Sequence, residues 1–119
     1  MVSEGIKQFT DFVKENSKLY QIALENMKTE DKRLQDFLHA IEFESNAKKR
    51  SKICTKLHRS RVERRKYKDI VEEREEIVMF FSDPQHKKTL DQLSQLLGKV
   101  RKVEKYHKDR TYYPRVKED

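Results

Sequence analysis

The chain has 119 residues, 28 Lys and Arg against 21 Asp and Glu, and a formal net charge of +7. Two Gly and two Pro leave too little turn chemistry for a sheet protein, and no apolar run approaches the roughly 20 residues needed to cross a bilayer. Charged residues make up 41% of the chain, yet its apolar residues are regularly spaced, as disordered chains are not, so the expectation is one all-α domain over residues 1–119.

The first helix is expected over about 3–44, with Ser3 as its cap. Ile6, Val13, Tyr20, Met27, Leu34 and Ile41 keep a seven-residue repeat, and Phe9, Ala23 and Phe37 fill the position three residues later. Asn16, Glu30 and Glu44 interrupt that second position. Thr29-Glu30-Asp31 has the look of a helix start, but the repeat keeps its phase across it, which predicts continuity.

Ser45-Asn46 punctuates the chain before a second helix at about 47–81. Ile53, Leu57, Tyr67, Val71 and Val78 fall on one stripe at helical spacing. Eleven of the 21 residues from Lys48 to Lys68 are Lys or Arg, and Glu63 is the only acid among them. That stretch carries +10, and the remainder of the chain sums to −3 (17 Lys and Arg against 20 Asp and Glu). Lys48, Lys52, Lys56, Arg59 and Lys66 lie on one flank of the stripe, and Arg50, Arg61, Arg65 and Lys68 on the other. Cys54 has no partner for a disulfide, which points to a reducing compartment, the cytoplasm; it is expected to be a small apolar filler.

Ser82-Asp83-Pro84 signals a stop and restart, with Asp as cap and Pro in the first turn of a third helix at about 84–108. Leu90, Leu93, Leu97 and Val100 form its seam, and Gly98 within it predicts a close helix contact. An extended tail, residues 109–119, follows.

Short connections make this an elongated antiparallel three-helix bundle or coiled coil. The third helix, placed alongside the second, is too short to reach the far hairpin. Leu34, Phe37, Leu38, Ile41 and Phe43 there face Ile53 and Leu57 with no third layer, to be covered by Tyr112, Tyr113 and Val116 of the tail or by a second molecule. The same alignment predicts a partly buried ion pair between Arg64 and Glu104.

Several chemistries are set aside by spacing. Asp36-x-x-His39 and Glu104-x-x-His107 have the spacing of di-iron bundle sites, but His39 points away from the seam, and Cys54 with His58 supplies only two zinc ligands. No metal or other cofactor is expected. There is no Gly-rich phosphate loop and no triad-like set, so neither an enzyme nor a small-molecule substrate is expected. The strongest functional signal is the basic helix. Lys48, Lys49, Arg50, Lys52, Lys56, Arg59 and Arg61, at the end the third helix leaves open, fit phosphate-dominated contact with nucleic acid or a nucleoprotein. The bland alternative is a solvated face balanced by acids such as Glu42, Glu44 and the Glu72–Glu76 cluster. Tyr112, Tyr113 and Arg115 could stack bases or dock in a partner groove.

The run RSRVERRKYKDIVEE, preceded by LHAIEF and followed by LGKVRKVEK and RTYYPRV, resembles small helical proteins encoded by phages and prophages of Firmicutes, over about residues 34–116. The resemblance implies a non-enzymatic accessory protein in a bacterial host cell, one that binds nucleic acid or disables a host machine. Two rival expectations stand beside nucleic-acid binding. One is an inhibitor of a host enzyme or defence complex, anchored through Phe37, Leu38, Ile41 and Phe43. The other is a dimeric scaffold with the first helix as its oligomer seam.

Overall fold

A computed structural model describes residues 1–116; the last three residues of the expected tail, 117–119, lie outside the described part. Three helices account for the fold: α1 (Val2–Phe43), α2 (Ala47–Ser82) and α3 (Pro84–Asp109). They form an elongated antiparallel bundle measuring 101 × 34 × 15 Å. The helices begin and end within one residue of the sequence expectation, because the punctuation works as read. Asn46 caps α2, its Oδ1 accepting from the Lys49 amide at 3.0 Å, and Asp83 caps α3, accepting from Gln85 N–H at 2.9 Å with Pro84 in the first turn.

α1 runs unbroken past Thr29. Each part of the apparent start signal is used for something else. The Thr29 hydroxyl donates to the Glu25 carbonyl one turn back, Glu30 is buried in the seam, and Asp31 accepts from Arg64 across the hairpin.

The α1–α2 hairpin is the largest interface, and its register is constant along its length. Phe9 meets Phe81 edge to face at 6.2 Å, Asn16 meets Arg74, and Glu30 meets Ser60, so every step forward on α1 is matched by a step back on α2. The buried residues are unusual for a core. Only Val13, Ala23 and Val71 are apolar, whereas Ser3, Thr10, Asn16, Glu30 and Ser60 are polar or charged. Two of the three interruptions in the heptad repeat are therefore interhelix polar layers. Asn16 donates from Nδ2 to the Arg74 carbonyl (3.3 Å) and accepts from Arg74 Nη1 (3.2 Å). Glu30 accepts at Oε1 from Arg33 Nη1 (2.6 Å) and at Oε2 from the Ser60 hydroxyl. Such layers favour a single register, because a slip would cost each buried polar group its partner on the facing helix.

α3 departs from the expected path. It does not retrace α2 toward His58. Lys87 and Leu90 border a cleft with Val13 and Ser17 of α1, and fourteen residues later Glu104 reaches Ser3. α3 thus runs down α1 toward its first turn, in the same sense as α2. A single extended residue, Asp83, joins the two helices. His86 then stacks on Phe80 at 3.8 Å and bonds through Nδ1 to the Phe80 carbonyl, fixing the corner.

Two expectations fall with that path. Arg64 does not pair with Glu104; its Nε donates to Asp31 Oδ1 at 2.6 Å, since α1 rather than α3 lies beside it. Ser3 is not the cap of α1 either. It sits in the first turn, and the Glu104 carboxylate receives its amide (3.1 Å) and its hydroxyl (3.0 Å). An acid from α3 thereby satisfies a free amide at the helix start, where negative charge also suits the helix dipole.

Gly98 is not at a close contact: a methyl group there would meet nothing within 4 Å, and its φ is not positive. The glycine weakens α3 without compensation. Gly98→Ala should raise stability by about 0.5–1 kcal/mol in a urea or thermal melt with the helical content unchanged. A lower midpoint would show a packing role for the bare Cα.

Candidate nucleic-acid interface

Because α3 and the described tail lie toward the opposite end, the distal half of the hairpin is a two-helix arm. The tail does not strap it. Tyr112, Tyr113 and Val116 are 79–80% exposed, and Arg115 is exposed as well. Of the distal apolar set, Phe37 and Ile41 are half-buried in the seam opposite Ile53 and Leu57, Leu38 is about half exposed, and Phe43 is 80% exposed at the tip.

The tip itself is well held. Glu44 Oε1 accepts from the Asn46 amide (3.1 Å), and Arg50 Nη1 donates to the carbonyls of Glu44 (3.1 Å) and Ser45 (3.3 Å). Arg50 is therefore a half-buried brace for the turn, not a free cation, and it leaves the set of predicted contact residues with a structural task of its own.

The other predicted cations stand as the sequence placed them. Lys48, Lys49, Lys52, Lys56, Arg59 and Arg61 are all exposed, and none has a carboxylate within 4 Å among the described residues. Ion pairs within the basic stretch are confined to its far end: Arg64 with Asp31, Lys66 with Glu63 (3.1 Å), and Lys68 with Glu72 (3.9 Å). The neighbouring acids Glu42 and Glu44 lie within 4 Å of none of these cations. Glu42 lies 3.7 Å from His39, and Glu44 is bonded to the tip backbone. The result is a set of uncompensated cations along about four turns of helix, Lys48, Lys49, Lys52, Lys56 and Arg59 on one side of α2 and Arg61 on the other, on an arm that no other helix covers. Cys54 belongs to this exposed surface and is not the expected apolar filler.

Sequence reasoning confined the cations to α2 and missed one on α1. Arg33 and Phe37 border a cleft with Lys56, Arg59, Ser60 and Glu63, with the buried Glu30 beneath. The antiparallel register, pivoting at Ser45, was the available signal, since it sets Arg33 opposite Leu57.

No helix among the described residues is long and apolar enough to span a membrane, and no cluster of His, Cys, Asp or Glu with metal-binding geometry occurs among them. Asp36, His39, Glu104 and His107 are not brought together: His39 neighbours Glu42, and Glu104 is bound to Ser3. No family model matches this chain, nor does any curated protein or solved structure.

The two acids at the edge of the interface should behave differently. Glu30 is 5% exposed, and Glu30→Ala leaves the buried Ser60 hydroxyl without an acceptor, so a loss of about 1–3 kcal/mol is expected in chemical denaturation. Asp31 is half exposed, and Asp31→Ala should cost less than about 1 kcal/mol, although its bond to Arg64 is as short (2.6 Å) as the one between Glu30 and Arg33. Equal losses would contradict the assignment of register to the buried layer.

Proposed function

We propose that this chain is a non-enzymatic accessory protein of the kind phages encode, acting in the cytoplasm of a bacterial host, whose basic central helix contacts nucleic acid or a nucleoprotein. The observation that carries this reading is the row of bare cations Lys48, Lys49, Lys52, Lys56 and Arg59 along one side of α2, with Arg61 bare on the other flank, on a two-helix arm. Like charges held on one rigid helix repel each other, and phosphates relieve that repulsion while releasing condensed counterions. Four of the six cations are lysines, point charges suited to phosphate oxygens, so the contact is expected to be chiefly to backbone and tolerant of sequence.

A second reading has its own support. Leu38 and Phe43 are exposed at the same end of the arm, where an inhibitor would present an apolar anchor with cations around it for steering. The two differ in salt response, because an apolar anchor survives salt and a phosphate contact does not.

The test is a Lys48→Glu/Lys49→Glu/Lys52→Glu variant titrated against a labelled 25-base-pair duplex at 50 mM salt. The expected result is at least a tenfold loss of affinity with helical content preserved. Affinity equal to the parent's would remove the nucleic-acid reading. A host-protein complex that survives 0.5 M salt and nuclease, and is lost on Phe43→Ala, would favour the second.

A further inference from the structure

We infer that the phosphate site is a two-helix cleft, in which Arg33 of α1 acts with Lys56 and Arg59 of α2 on a single phosphodiester strand. The inference rests on the nucleic-acid reading above and makes it specific. Arg33 and the two α2 cations border the same cleft, with Phe37 and Ser60 between them. The two acids in the cleft do not neutralise it. Glu63 is taken by Lys66, and Glu30 is buried and shared between Ser60 and one nitrogen of Arg33.

The bond to Glu30 has a second consequence. It ties Arg33 Nη1 to a fixed point in the seam, while the side chain is 58% exposed and its remaining donors are unengaged by the described residues. A guanidinium carries five N–H donors in a rigid fork, so one held nitrogen leaves a pre-aimed set for phosphate oxygens. Among the described residues, Lys56 and Arg59 have no carboxylate within 4 Å to compete with such a ligand. Cations from two antiparallel helices, whose axes lie about 8–10 Å apart, border a channel the width of one sugar-phosphate strand. A row on one helix alone would offer only a ridge. The strand is either a free single strand or one edge of a duplex, and both supply the same diester oxygens.

The experiment measures the salt dependence of binding to a 25-mer, single-stranded and duplex, for the parent, Arg33→Ala, Arg33→Gln, Lys56→Ala and Lys32→Ala. Lys32 is the exposed neighbour on α1 that does not border the cleft. Arg33→Ala and Lys56→Ala should each lower the log–log salt slope by about one and weaken binding several-fold, while Lys32→Ala leaves the slope at the parental value. Arg33→Gln can keep a neutral bond to Glu30 and should lose the slope equally, which separates charge from folding. A response on both oligonucleotides identifies the strand itself as the ligand; a response on the duplex alone identifies the duplex edge. If Lys56→Ala lowers the slope and neither Arg33 variant does, the cleft is overturned and the one-helix contact stands. If no variant alters binding, or only a poly-glutamate peptide binds, the nucleic-acid reading falls and the cleft with it.

Discussion

One buried carboxylate organises the arm. Glu30 sits where a seven-residue repeat calls for an apolar side chain, and it is tolerated because Ser60 donates to it from α2 and Arg33 from its own helix. A slip of α2 by one turn would leave that charge in the seam without the Ser60 bond, at a cost of about 1–3 kcal/mol. With the Asn16–Arg74 layer two heptads away, the hairpin has two polar locks and one register. That register determines which cations of α2 face outward and which residue of α1 stands beside them.

α3 braces the other end. Its carboxylate at Glu104 completes the start of α1, and its stacked His86 on Phe80 fixes the corner from α2. None of its residues is fully buried, so it contributes a half-covered layer rather than a deep core. The consequence for function is one of placement. The bundle has a third helix only along the first part of α1, and two helices where the uncompensated lysines and arginines stand. An arm of two helices is thin, and it exposes cations on the outer side of α2 and along the groove between the helices.

Much of this was legible in the residues. The heptads of α1, the Asn46 and Asp83 caps and the Pro84 restart gave the helices to within a residue, because local capping chemistry and a long uninterrupted repeat agree. Asn16 and Glu30 stood out as breaks in the pattern, though their partners could not be named before the register was known. The path of α3 was not legible. It turns on one extended residue, Asp83, and on a distant contact between Glu104 and Ser3 that no periodicity announces. From that one misplacement followed the wrong partner for Arg64 and the strap expected of Tyr112 and Tyr113; the packing role expected of Gly98 rested on its helix cost alone, which nothing offsets. The bareness of the basic helix was legible only as charge excess: whether Glu42 and Glu44 would neutralise it depended on tip geometry, which bonds Glu44 to the Asn46 amide and leaves Glu42 beside His39 rather than beside a lysine.

The central claim is that a register-locked hairpin holds a row of unpaired cations for phosphates. The most direct measurement is the affinity of the unmodified protein for a 25-base-pair duplex between 50 and 200 mM salt. Four to six phosphate contacts predict a log–log slope of about −4 to −5, independent of base sequence. A slope near zero, or no binding at 50 mM, would contradict it.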